Sequence, residues 1–214
     1  MNSGHNKRPF VKVCGQTHTG SADAAASMGA SMLGFIFHPR SPRSVSPERA
    51  AAVQTPCYVK RVGVFVKQGA EDISRIMEEA RLDFAQLHGR QGTDVAKELG
   101  AQRVIRVLWP QQCESLEDLQ EQIDVWEPHC AYYLLDAGKV GSGGTGNTMD
   151  VSEFDKLHFP HPWLLAGGLS PDNIQQLLEL CHPNGIDLNS GLELAPGLKS
   201  PQAILEAVSA LGKR

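Results

Sequence analysis

The chain has 214 residues, of which 41% are hydrophobic and 21% charged, with a formal net charge of −4. That length buries a full core without help from a metal or a disulfide. The charges are scattered and slightly acidic, which excludes the basic stripe of a nucleic-acid binder.

Residues 1–9 read as a polar N-terminal extension with no signal-peptide core behind it. Eight short apolar runs follow: Phe10–Cys14, Met32–Phe37, Tyr58–Val66, Asp83–His88, Arg103–Trp109, Ala131–Asp136, Trp163–Ala166 and Gly185–Asn189. Most hold β-branched or aromatic residues and are too short for helices, so they read as strands. None approaches the roughly 18 apolar residues of a membrane span. Between them lie amphipathic stretches with helix punctuation. Ser46-Pro47, Ser170-Pro171 and Ser200-Pro201 each combine a capping serine with a proline suited to the first helical position. Met28-Gly29 and Leu99-Gly100 read as helix ends. The helix after the sixth strand, Met149–Leu157, is short and weakly patterned, and a short helix is expected before Pro196.

Strands alternating with helices predict a parallel α/β fold. The turn after the first strand, Cys14-Gly15-Gln16-Thr17, is no Gly-x-Gly-x-x-Gly, which disfavours an open doubly wound sheet. The glycine-rich turns come late instead, after strands six, seven and eight. A (β/α)8 TIM barrel commonly builds its phosphate site there, so one barrel domain over residues 1–214 is the expected architecture.

In such a barrel the chemistry sits at the C-terminal ends of the strands. The polar residues there are Cys14, Arg43, His88, Asp136 and Asp187. Gly143, Gly144, Thr145 and Gly146 after strand six, Gly167 and Gly168 after strand seven, and Ser190 and Gly191 after strand eight offer backbone N–H groups to an anion. Each turn taken singly reads as a tight turn, but three on adjacent strands favour phosphate. Cys14 taken singly reads as packing. Lys12 lies about 7 Å away on the same side of the strand, where an ammonium would lower the thiol's pKa. Asp136, which could merely cap a turn, pairs with Cys14 as acid and base over a sugar phosphate. Arg43 reads either as a solvated loop charge or as a partner for a carboxylate. Asp187 and His88 are weaker candidates. The cysteines at 14, 57, 113, 130 and 181 are odd in number and lack Cys-x-x-Cys spacing. Free thiols and a cytoplasmic location are therefore expected, with no metal site.

The ordered segments Lys12-Val13-Cys14-Gly15-Gln16-Thr17, Leu33-Gly34-Phe35-Ile36-Phe37, Gln86-Leu87-His88-Gly89, Leu134-Leu135-Asp136-Ala137, Gly143-Gly144-Thr145-Gly146, Leu165-Ala166-Gly167-Gly168-Leu169 and Asp187-Leu188-Asn189-Ser190-Gly191-Leu192-Glu193 resemble the motifs of phosphoribosylanthranilate isomerases. Asn147 and Val151 depart from that pattern without touching a catalytic position. The resemblance implies an Amadori rearrangement, with Asp136 as general acid and Cys14 as base. It also implies that Arg43 binds the anthranilate carboxylate, that Asp187 orients the substrate, and that the late glycine loops grip the phosphate. It implies no cofactor and a small-molecule partner only, with no nucleic acid or membrane and a monomer or homodimer. The histidine-pathway sugar isomerase resembles the chain less well, having aspartate where Cys14 stands. A phosphate-binding barrel without catalysis is the reading from another class.

Overall fold

The computed structural model describes residues 8–138 and 150–212, so most of the polar extension and the predicted glycine loop Gly143, Gly144, Thr145 and Gly146 lie outside the described residues. The elements run β1 (Phe10–Val13), α1 (Thr19–Ser27), β2 (Ala30–Ile36), α2 (Pro47–Ala52), β3 (Lys60–Phe65), α3 (Ala70–Glu79), β4 (Phe84–Leu87), α4 (Thr93–Leu99), β5 (Val104–Leu108), α5 (Leu116–Trp126), β6 (Tyr132–Asp136), β7 (Trp163–Ala166), α6 (Ile174–Leu180), β8 (Gly185–Leu188), β9 (Glu193–Ala195), β10 (Leu198–Lys199) and α7 (Pro201–Ala210). Strands β1 to β8 pair in chain order, all parallel, and β8 closes on β1 as a barrel. The expected (β/α)8 architecture is therefore present.

The helices form where apolar residues recur at helical spacing. In α3, Ile73, Ile76 and Met77 face inward and the C-capping Ala80 continues the stripe. Ser46 and Ser200 accept the N–H groups of Arg49 and Ala203, as their Ser-Pro signatures predict. Ser170-Pro171 behaves differently. Residues 171–173 make a turn, Asn173 Oδ1 accepts the Ser170 N–H, and α6 begins only at Ile174. The asparagine side chain supplies the turn that the serine was expected to cap. Among the described residues, the connection from β6 to β7 holds a 3-10 helix (Val151–Lys156). The helix expected before Pro196 is instead a 3-10 turn (Ser190–Leu192) leading into the antiparallel hairpin of β9 and β10. Gly197 turns that hairpin at φ +82°, a conformation that suits glycine.

Side chains alternate across each strand, so the sheet divides the apolar residues into two cores. Val11, Val13, Leu33, Phe35, Leu135, Ile186 and their kind point outward under the helices. Met32, Val62, Ile105, Val107, Leu134, Leu164 and Ala166 fill the barrel itself, above a base where Phe10, Phe84 and Tyr132 meet edge to face. Gly185 makes room there, because a Cβ on it would lie 2.5 Å from the Phe10 ring. The inward positions nearer the C-terminal rim are polar, and they form the site.

Candidate active site

Inward parity assigns Lys12 and Cys14 to β1 and its end, Gln86 and His88 to β4, Asp136 to β6 and Asp187 to β8. Together with Gly138, Gly167, Gly168, Asn189 and Ser190, these groups (Lys12 apart, which lies beneath) line one cavity of about 640 Å³ at the C-terminal mouth. Cys14, Asp136, His88, Asp187, Gly167, Gly168 and Ser190 are thus brought together, as the strand ends predict.

Lys12 and Asp187 are register neighbours on β1 and β8, and the ammonium lies 2.8 Å from both carboxylate oxygens. Both groups are buried. Burial works against the Lys12 charge more than any other single cause, but Asp187 and Cys14 together outweigh it and the ammonium is held above its ordinary pKa. Lys12 does favour the Cys14 thiolate, as its place on the strand predicts, but it is paired with Asp187, and the thiol still sits above its ordinary value. Burial of the thiolate is the largest cause, Asp187 adds to it, and Lys12 and Lys199 only partly offset it. The thiol occupies a notch opposite Gly34, where a Cβ would come within 2.7 Å of Sγ.

Asp136 is held through Oδ1, which accepts the Gly138 N–H at 3.1 Å. Its Oδ2 faces His88 Nε2 at 4.0 Å. The His88 ring meets Trp109 edge to face at 5.5 Å, and burial lowers its pKa, so it is neutral near pH 7. Strands β7 and β8 lie between those of Asp136 and Cys14.

Gly167 and Gly168 both have positive φ, at +100° and +63°. A Cβ on Gly167 would lie 2.5 Å from the Gly138 carbonyl, so glycine lets the loops after β6 and β7 meet over the site. Gly191 does not face the cavity. It abuts the loop after β7, with a Cβ position 2.0 Å from the Leu169 carbonyl, and so serves packing of the rim. Arg43 stands outside the cavity lining, with its Nε and Nη2 bonded to the Glu193 carboxylate at 2.6–3.0 Å. Glu193 also takes a bond from Lys199 at 2.8 Å, and Lys199 reaches back to Asn189 Oδ1 at 2.8 Å. Arg43 is therefore neither a solvated charge nor a free one. It is fixed beside the mouth in an ionic cluster.

Sequence reasoning missed Gln86, Asn189, Glu193 and Lys199 as site residues. Gln86 was detectable as a polar residue at an inward position of an apolar strand, two before His88. The Glu193–Lys199 pair was hidden because the hairpin that joins them was expected to be helical. Among the described residues no group of three His, Cys, Asp or Glu side chains could hold a metal, and no helix is long and apolar enough to cross a membrane.

A parallel eight-stranded barrel with a thiol, a carboxyl and an imidazole around one mouth, beside a glycine-lined rim, defines a TIM-barrel enzyme of acid–base type. Residues 11–210 match the family model described as N-(5'-phosphoribosyl)anthranilate isomerase, and the chain belongs to that family. It is 52% identical over 205 residues to the N-(5'-phosphoribosyl)anthranilate isomerase of Desulfovibrio desulfuricans, covering 96% of each chain. The enzyme of that name from Maridesulfovibrio salexigens is 47% identical over 95% of this chain and 98% of its own. Among solved structures, the phosphoribosyl anthranilate isomerase of Thermus thermophilus superposes with a TM-score of 0.78 at 35% identity, over 95% of this chain and 98% of that one. A phosphoribosyl anthranilate isomerase in complex with reduced 1-(o-carboxyphenylamino)-1-deoxyribulose 5-phosphate gives a TM-score of 0.80 at 28% identity, over 96% and 100%.

Proposed function

We propose that this chain converts N-(5'-phosphoribosyl)anthranilate to 1-(2-carboxyphenylamino)-1-deoxyribulose 5-phosphate by general acid–base catalysis. The observation that carries the reading is the meeting of Cys14 and Asp136 on one cavity, beside the Gly167–Gly168 rim. Asp136 protonates the furanose ring oxygen, the C1–O bond breaks, and a Schiff base forms between C1 and the anthranilate nitrogen. The nitrogen keeps its hydrogen, so the Schiff base is protonated. The Cys14 thiolate then removes the C2 proton, those electrons form C1=C2, and the C1=N π pair returns to the nitrogen as its lone pair. The resulting enolamine tautomerises to the ketone.

Lys12 favours the thiolate form against the cost of burial, and Asp187 keeps Lys12 charged and in place. The backbone at Gly167, Gly168 and Ser190, with Gly143, Gly144, Thr145 and Gly146 from the loop before it, receives the phosphate. Binding energy from that remote group positions the sugar between acid and base. Arg43, already gripped by Glu193 along one edge, turns its Nη1 end to the anthranilate carboxylate. The partner is a small molecule, and five cysteines outside any disulfide suit a reducing cytoplasm.

The test is the loss of phosphoribosylanthranilate fluorescence, with substrate generated in situ, for wild type, Cys14→Ser and Asp136→Asn. Wild type should consume the substrate rapidly, and each substitution should lower kcat by roughly 10²–10⁴-fold without unfolding the protein. Activity that survives Cys14→Ser would assign the base to another group. Tight phosphate binding without any wild-type turnover would leave the noncatalytic barrel as the better reading.

A further inference from the structure

Gln86 has no part in the steps above, yet it lines the cavity. Only 2% of it is exposed. Its neighbours in register are Val64 on β3 and Ile105 on β5, so a leucine or methionine would fill the position at no polar cost. Burying a primary amide is unfavourable unless its polar atoms are bonded. Here one end is bonded and the other is not. Nε2 lies 3.3 Å from His88 Nδ1, while Oε1 has no hydrogen-bond partner among the described residues.

An amide nitrogen can only donate, so His88 Nδ1 accepts and the neutral ring carries its proton on Nε2. That nitrogen faces Asp136 Oδ2. The charged groups around the ring are Asp136 on β6, Asp187 on β8, Lys12 on β1 and Arg106 on β5, and Trp109 covers its edge. Since the ring is neutral, its tautomer decides where its one N–H points. Resting on the function proposed above, we propose that Gln86 is a positioning residue for the acid step. Its amide holds His88 as the Nε2–H tautomer, and the imidazole N–H is thereby aimed at Asp136. The N–H then stabilises the carboxylate that remains once Asp136 has given its proton to the sugar.

The test compares Gln86→Glu and Gln86→Met with wild type by ¹⁵N NMR of the histidine ring in substrate-free protein, alongside kcat and KM. In wild type, His88 should show the Nε2–H tautomer. Gln86→Glu replaces the donor by an acceptor of the same size and should move the proton to Nδ1, lowering kcat about tenfold or more. Because Gln86 acts through His88, KM should change less than kcat in the glutamate variant. The kcat–pH profile of the glutamate variant should also shift, which lost packing alone would not cause. An unchanged His88 tautomer in both variants overturns the inference, as does a changed tautomer with kcat intact. If Gln86→Met does not fold, Gln86→Glu carries the test alone. Absence of wild-type turnover would refute the proposed reaction, and the NMR readout would still decide the tautomer separately.

Discussion

Lys12 and Arg61 are both buried cations, one inside the barrel and one outside it, and their charges are balanced in opposite ways. Arg61 points outward from β3 and donates to the carbonyls of Ala50 and Val53 at the end of α2 and of Ala80 at the end of α3. Its guanidinium also lies 4.5 Å over the Phe35 ring. These are the partial negative charges of helix C-termini, and they join two helices to the sheet without a direct ion pair among the described residues. Lys12 points inward and meets a full carboxylate, Asp187, beside the Cys14 thiol. The outer cation is spent on backbone groups that need a donor. The inner one keeps a field in the cavity. Buried charge in this molecule thus has two uses, and the side of the sheet separates them.

Removing Lys12 is the strongest way to break that comparison. Lys12→Met leaves Asp187 as a buried charge without its partner and should cost ~3–5 kcal/mol in denaturant unfolding. Adding Asp187→Leu should return most of that stability, since a buried ion pair replaced by apolar volume is often neutral, while kcat remains lost. A double variant no more stable than Lys12→Met would mean that the pair supports the fold by more than mutual compensation.

The outer cation should give the converse result. Arg61→Met removes the donor that three carbonyls share, Ala50 keeping its bond from the Val53 N–H, and should cost about 1–3 kcal/mol, with kcat per folded molecule unchanged. A fall in kcat at full folding would show that the β3 wall reaches the chemistry and that the division by sheet face is too simple.

The smallest effect is the one on pH dependence, and it sharpens what the inner field achieves. Burial leaves the Cys14 thiol above its ordinary pKa despite Lys12. The reactive thiolate is then the minor form at neutral pH and grows as pH rises toward that pKa. Accordingly, kcat/KM should climb by up to about tenfold per pH unit on this limb, levelling off only above the ordinary thiol range. A profile already flat at neutral pH would mean that the occupied site ionises the thiol more fully than the empty one.

The barrel was largely legible along the chain. Local apolar runs, Ser-Pro caps at 46 and 200, and terminal glycines depend on near neighbours, so they can be read without the fold. Cys14, His88, Asp136 and Asp187 were legible for a related reason. A polar residue closing an apolar run in a parallel α/β pattern falls on the catalytic rim whatever the details of packing. The turn at Ser170 and the hairpin after Glu193 were not legible. There the outcome rests on one side chain, Asn173 Oδ1, and on Lys199 reaching Glu193 and Asn189.

What the sequence determined by itself, then, was the alternation of strands and helices, the rim residues and the family they belong to. Only the tertiary structure decided which of those groups hold one another. Closure sets β8 beside β1 and puts Asp187 against Lys12, 175 residues away in the chain, so the ammonium that proximity assigned to Cys14 is shared first with a carboxylate. Closure also folds Glu193 onto Arg43 and turns Gln86 and His88 toward Asp136. Those partnerships depend on distances that appear only when the ring closes, and burial there sets both the charge and the proton position of each group.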